Sequence, residues 1–193
     1  MRPLKLILAS GSPRRKALLA ASGLLFEIVE SGVDETRQPG ESTGVYALRV
    51  AREKALAVSV RITDALVLAA DTVVECDGAI LGKPVNARDA QEMLAMLSAK
   101  THTVVTAYAL AVSGAIAESE AVVSRVTFRP LSAEEIAAYV ATGEPLDKAG
   151  SYGIQGQGAD FIAKVEGSRD NVMGLPMNEV LSALARFGFS SIA

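Results

Sequence analysis

The chain has 193 residues, 50% of them hydrophobic and 21% charged, with a formal net charge of −3. A chain of this size and composition buries a core of its own, and its acidic balance speaks against nonspecific nucleic-acid binding through a basic surface. One cysteine, Cys76, and one histidine, His102, exclude an internal disulfide framework, a zinc site of the usual ligand types and any mechanism that needs two histidines.

Residues 4–9 (LKLILA) are a short apolar run with the length of a buried strand. Ser10-Gly11-Ser12 breaks it, Pro13 opens a helix to about Ser22, and Gly23 closes that helix. A short strand is expected over 26–29, then a polar loop over 31–43 containing Gly32, Asp34, Glu35, Pro39 and Gly40. Tyr46, Leu48, Val50, Ala51, Ala55 and Val58 support a helix over roughly 43–60. Residues 65–70 (ALVLAA) form another buried strand that leads into Asp71-Thr72, and Asp77-Gly78 signals a hairpin with 79–81 returning. Asn86 caps a helix over about 87–98. Strands over 103–112 and 121–128 flank Ser113-Gly114 as an antiparallel pair. Ser132 with Glu135 fits a capping box for a helix that Gly143 closes. Residues 144–158 are glycine-dense and aperiodic. A last strand over 160–165 and an amphipathic helix over 176–187 complete the chain. With no repeat and no long linker, strands and helices mix throughout, which gives an α/β class with a mixed sheet.

No apolar run reaches the roughly 18 residues of a membrane span. The amino-terminal apolar run meets the Ser-Gly-Ser turn too soon for a signal peptide. A cytoplasmic protein without membrane association is expected.

Four segments can carry chemistry. Ser10-Gly11-Ser12-Pro13-Arg14-Arg15 joins a strand to a helix, where unpaired backbone N–H groups and the helix dipole favour an anion. The Ser10 and Ser12 hydroxyls and the forks of Arg14 and Arg15 suit phosphate oxygens; the plainer alternative is an ordinary cap followed by two solvated arginines. Asp71-Thr72 ends a buried strand, where α/β sheets place ligands. An acid there holds a divalent metal or orients a water, or else merely caps a turn. Lys83, between Gly82 and Pro84, is either a phosphate contact or a solvated side chain, and its spacing is not that of a P-loop. Residues 144–158 include Gln155 between glycines, with Tyr152 and Ile154 as apolar anchors. They are read as a ligand-reading loop or a structural Ω-loop. Asp34 and Glu35 are metal ligands or loop solvation. Lys54 falls on the polar side of its helix, where solvation is the default, and His102 is given an orienting or structural role. Taken together, Arg14, Arg15, Lys54 and Lys83 with Glu35 and Asp71, and no nucleophile–base pair, suit a polyphosphate ester held by cations and a metal and attacked by water.

LILASGSPRRKALL, AADTVV, GAILGKP, THTVVTA, DKAGSYGIQGQGADFI and NVMGLPM stand in the order and spacing of one family. From about residue 4 to 187 the chain resembles the Maf family, first described as septum-formation inhibitors and understood as nucleoside triphosphate pyrophosphatases akin to inosine triphosphatases. The resemblance implies one domain over 1–193 with a mixed, elongated sheet flanked by helices and a cleft between two lobes. It implies the reaction NTP + H₂O → NMP + pyrophosphate with Mg²⁺ or Mn²⁺. By the same resemblance Asp71 is the catalytic acid that accepts the proton. Arg14, Arg15, Lys54 and Lys83 line the phosphates, and Glu35 joins Asp71 in holding metal. Arg14, Thr72 and Gln155 fall on positions tied to base specificity.

The Y-G-I-Q-G form resembles the branch acting on dTTP and UTP, with modified pyrimidine nucleotides as another substrate class. An amide offers one acceptor and two donors, matching the carbonyl–N3–H–carbonyl edge of uracil or thymine. A carboxylate only accepts, and suits guanine. Family members are often homodimers. The alternative kept in view is a non-catalytic nucleotide-binding regulator of septum formation; a nucleic-acid binder is disfavoured by the charge and the scarcity of aromatic residues.

Overall fold

Residues 4–190 are described in the computed structural model; residues 1–3 and 191–193 lie outside them. The apolar run forms β1 (Lys5–Leu8), and Ser12 and Pro13 open α1 (Pro13–Ala21), with Gly23 in the left-handed region at φ 76°. β2 (Glu27–Ile28) is a two-residue strand, and α2 (Thr43–Ser59) follows the polar loop. β3 (Ala65–Cys76) does not stop before Asp71. The acid sits in mid-strand, because the β-branched run Thr72-Val73-Val74 continues the extended chain and β4 (Ala79–Leu81) pairs with it, Val74 opposite Leu81. Asp77 and Gly78 turn the hairpin, both at positive φ.

Asn86 caps α3 (Ala87–Leu97), its side chain accepting from the Asp89 amide. β5 (Thr101–Val112) and β6 (Ala115–Phe128) meet at Ser113-Gly114, with φ values of 49° and 80°. A two-residue turn of this kind makes the pair a hairpin. β6 starts at Ala115 rather than 121. Its first half carries Glu118, half-buried, and Glu120, exposed, two positions apart, and both accept from the Tyr108 hydroxyl. Ser132 and Glu135 form the expected capping box of α4 (Ala133–Ala141). Three 3-10 turns, Glu144–Asp147, Ala149–Ser151 and Gly156–Phe161, occupy the aperiodic segment. β7 (Ile162–Glu166), α5 (Arg169–Met173) and α6 (Met177–Ala185) follow. The five-residue α5 has no counterpart in the sequence reading, being too short to show a period.

The sheet has seven strands, ordered β2-β1-β3-β5-β6-β7, with β4 on β3. β1 is parallel to both β2 and β3, whereas β4 on β3 and β7 on β6 are antiparallel. The sheet is therefore mixed, as expected. The chain divides into two compact units, residues 1–71, 106–122 and 174–193, and residues 72–105 and 123–173. The first unit's core gathers Leu6, Leu8, Leu19, Leu66, Leu68, Tyr108, Leu110, Leu175 and Leu184. Each fully buried leucine there contributes about 2 kcal/mol. The second unit's core is richer in rings, with Phe128, Tyr139, Tyr152 and Phe161 beside Leu94, Leu97, Val126 and Ile136. Among the described residues no helix is long and apolar enough to cross a membrane.

Candidate active site

In the first unit the chain leaves β1 for β2 on one side and later returns as β3 on the other. This reversal at the carboxyl end of a parallel strand is where open α/β sheets leave a crevice for a ligand. The Ser10–Arg15 turn lies there. The Ala9 amide still donates to the Leu68 carbonyl at 2.7 Å, which ties the start of the turn to β3. Buried Ser10 accepts from the Ser12 amide at 3.2 Å and from an Arg15 guanidinium nitrogen at 3.4 Å. The Ser12 hydroxyl accepts from the Arg15 amide at 3.5 Å, a long cap bond. Arg15 is anchored through Nε to the Gly174 carbonyl at 2.7 Å. Burial lowers the Arg15 pKa, against the opposing pull of Asp71 and Glu35, and Arg14 lowers it further. Arg15 therefore lies in the same field as the two acids.

Lys54 is the largest departure from the sequence reading. The polar side of α2 predicts solvation, yet Lys54 is only 6% exposed. Its ammonium is 2.9 Å from Asp71 Oδ1 and 2.9 Å from Glu35 Oε1. A buried ammonium persists when carboxylates satisfy it, and here both partners come from distant parts of the chain. Asp71 is 7% exposed. Burial raises its pKa, Lys54 and Arg15 pull it back, and Glu35 adds to the rise. Glu35 comes from the exposed loop, and its backbone carbonyl accepts from the Tyr46 hydroxyl at 2.6 Å. Burial and the two acids raise the Tyr46 pKa, so this hydroxyl stays protonated and donating. The first unit thus brings together Ser10, Ser12, Arg14, Arg15, Glu35, Lys54 and Asp71.

Thr72 follows Asp71 in β3, half-buried. Lys83 and Gln155 belong to the second unit, both exposed. Within it their segments are tied, because the Gly150 amide donates to the Gly82 carbonyl at 3.1 Å. Gly150 stands at φ 70°, and a Cβ there would lie 3.1 Å from Val74 side-chain atoms, so glycine suits the point where that segment packs against β3. Gln155 sits between buried Tyr152-Gly153-Ile154 and buried Gly158, so a held loop carries an exposed amide. His102 is buried, its Nε2 2.8 Å from the Tyr152 hydroxyl and its ring edge-on to Phe128 and Tyr152. The structural role expected of it is the one its surroundings support. Cys76 is buried and free.

Three participants escaped the sequence reading. The sequence marks Tyr46 only as an apolar position of α2. The Gly174 carbonyl carries no side-chain signal at all. Glu144 is a single acid after a helix stop, and only the fold shows what it holds. Among the described residues no group of three or more His, Cys, Asp or Glu side chains is placed to hold a metal.

Residues 5–187 match the Maf family, described as Maf-like protein. The chain is 52% identical over 183 residues to the dTTP/UTP pyrophosphatase of Escherichia coli strain K12, an alignment spanning 94% of this chain and 92% of that protein. It is 52% identical over the same length, with the same coverage, to the nucleoside triphosphate pyrophosphatase of Shigella flexneri. Among solved structures, a HAM1 protein from Coxiella burnetii superposes with a TM-score of 0.51 at 14% identity, covering 95% of this chain and 99% of that one. That likeness bears on the fold alone.

Proposed function

The chain belongs to the Maf family, and from that premise we propose that it hydrolyses dTTP and UTP to the monophosphate and pyrophosphate. The observation that carries the reading is the buried Lys54–Asp71 pair, with Glu35 on the same ammonium and Arg15 within its field. Names of relatives that are half identical to this chain support the substrate class.

Asp71 takes the proton of the attacking water. Burial and Glu35 raise its proton affinity, which brings a carboxylate nearer to the strength a general base needs at neutral pH. The water oxygen forms a bond to the α-phosphorus. The bond from that phosphorus to the bridging oxygen breaks, and the electron pair leaves with pyrophosphate. Arg14, Arg15, the hydroxyls of Ser10 and Ser12, and Lys83 are assigned to the phosphate oxygens, where charge grows as the bond breaks. Lys54 opposes the rise that burial imposes on the Asp71 pKa and, through its two ion pairs, ties Asp71 and Glu35 in place. To Thr72 and Gln155 we assign the base, the Gln155 amide matching the acceptor–donor–acceptor edge of uracil and thymine.

Two carboxylates converging on one ammonium are hard oxygen donors of the kind Mg²⁺ and Mn²⁺ prefer. Asp71 and Glu35 would hold such an ion, and it would supply Lewis-acid neutralisation of the phosphate charge. The nucleotide substrate favours a cytoplasmic site of action. A homodimer, carried over from the family resemblance, is checked by sedimentation.

The test is a panel of nucleoside triphosphates with Mg²⁺ or Mn²⁺, scored for pyrophosphate against orthophosphate. Pyrophosphate from dTTP and UTP is expected. Nucleotide binding without metal-dependent pyrophosphate release would overturn the reading.

A further inference from the structure

We propose that Glu144 is the positioning residue that holds the Gln155 loop in shape and so sets base discrimination; this rests on the pyrophosphatase reading above. The second unit builds that loop around one carboxylate. Glu144 Oε1 accepts from the Tyr139 hydroxyl at 2.9 Å and from the Gly158 amide at 3.4 Å, while Oε2 accepts from the Gln157 amide at 3.1 Å. The Tyr139 hydroxyl accepts in turn from the Gly153 amide at 3.2 Å. Gln155 therefore lies between two backbone anchors, Gly153 on one side and Gln157-Gly158 on the other, and both lead to the same carboxylate. Lys148 Nζ donates to the Glu144 backbone carbonyl and to Asp147 Oδ1, which fixes the segment that carries Glu144.

The glycines show how closely the loop wraps this group. A Cβ at Gly156 would lie 2.8 Å from Glu144 Oε2, and that residue is also at φ 78°. A Cβ at Gly153 would lie 2.9 Å from the Gln155 carbonyl and 3.2 Å from Glu144 Oε1. A Cβ at Gly158 would lie 2.6 Å from the Gly153 carbonyl and 2.7 Å from Tyr139 Oη. The three glycines are thus a consequence of wrapping backbone around a carboxylate and a phenol. A carboxylate suits the centre because it only accepts, and every neighbour aimed at it donates. Desolvation by burial keeps the Tyr139 phenol protonated, so it can donate to Glu144 while accepting from Gly153.

Glu144→Gln tests the assignment at constant shape. The amide turns an N–H₂ toward groups that themselves donate, so at least one loop amide loses its acceptor. The kcat/KM ratio for UTP over GTP is expected to fall about tenfold, through KM rather than kcat, in line with losing a hydrogen bond to a charged acceptor. Tyr139→Phe should move the ratio the same way by less. Amide hydrogen exchange at Gln157 and Gly158 should quicken in Glu144→Gln, whatever the activity. An unchanged ratio in an active variant, or a loss confined to kcat, overturns the proposal, as does unaltered exchange at both amides. A wild-type chain that releases no pyrophosphate from UTP removes the pyrophosphatase reading and the base-discrimination claim together, while the exchange rates still report separately whether Glu144 holds the loop.

Discussion

The two units bury polar groups in opposite ways. In the first, full charges go under together: Lys54 and Asp71 are buried as a pair, with Glu35 reaching the same ammonium from an exposed loop and Arg15 in their field. In the second, the buried polar side chains are neutral. His102 meets the Tyr152 hydroxyl, and Asn171 Nδ2 donates to the Val104 carbonyl at 3.2 Å and to Ser124 Oγ at 2.9 Å. Buried charges reshape each other's proton affinities and create the field a reaction needs. Buried neutral groups chiefly fix shape. The first arrangement suits chemistry on phosphates, and the second suits presenting an amide at a set position.

The largest expected effect breaks the charged set at its base. Asp71→Asn should lower turnover by roughly 10³-fold, within the range for losing a general base, while circular dichroism and the unfolding midpoint report a folded chain. The wild-type pH profile sharpens the point. Because burial raises the Asp71 pKa, the base ionises at a higher pH than an ordinary carboxylate. The acid limb of kcat/KM should therefore lie above the usual carboxylate range, and the residual activity of Asp71→Asn should lack it. Near-normal rates in that variant would remove Asp71 from the mechanism.

Lys54→Met attacks the same set from the cation side. It leaves Asp71 buried without its ammonium, and breaking one side of a buried pair costs about 3–5 kcal/mol. Urea unfolding of the single variant should show that loss. Lys54→Met with Asp71→Asn should recover part of it, since no unpaired buried charge remains. A double variant no more stable than the single one would mean that Lys54 stabilises through its methylene stem rather than through charge.

The neutral unit should show its character in acid. Burial pushes the His102 pKa down to about 4 from 6.5. Between those values the unfolded chain binds a proton that the folded chain refuses, so stability is full above pH 6.5 and declines as pH falls toward 4. The decline amounts to roughly 3 kcal/mol at most. His102→Gln removes the titration. The difference in unfolding free energy between pH 7 and pH 4.5 should shrink accordingly; an equal decline in both chains would assign the acid sensitivity to other groups.

The same contrast explains what could be read from the sequence. Local punctuation was legible because its physics is local. Pro13 and Gly23 bound α1, Asp77-Gly78 turns the β3–β4 hairpin, and Asn86 and the Ser132–Glu135 pair open their helices. The residues assembled around Lys54 were each visible as candidates, but the burial of Lys54 was not. It depends on Asp71 and Glu35, which lie 17 and 19 positions away in the sequence. Helical periodicity sees only the near neighbours and assigns a lysine to water. Asp71 likewise reads as a strand end until β4 is known to pair beyond it. In the second unit, Gln155 stood out among glycines, whereas Glu144, which holds them, is one acid after a helix stop. A side chain whose partners are backbone amides leaves no pattern of its own.

The smallest effect separates two serines that read alike in the sequence. Both open a helix, but Ser132 does so within a complete box, accepting from the Glu135 amide at 3.2 Å while Glu135 Oε2 accepts from the Ser132 amide at 2.8 Å. Ser12 holds the Arg15 amide only at 3.5 Å. Ser132→Ala should cost about 1 kcal/mol of stability and leave the Michaelis constant for UTP unchanged. Ser12→Ala should cost less stability, because its cap bond is already weak, and raise that constant severalfold, because the hydroxyl's work is assigned to phosphate. Urea unfolding and steady-state kinetics on the two variants decide the matter. If Ser12→Ala lost as much stability as Ser132→Ala at an unaltered Michaelis constant, Ser12 would be an ordinary helix cap, and the phosphate reading would rest on Ser10, the two arginines and Lys83.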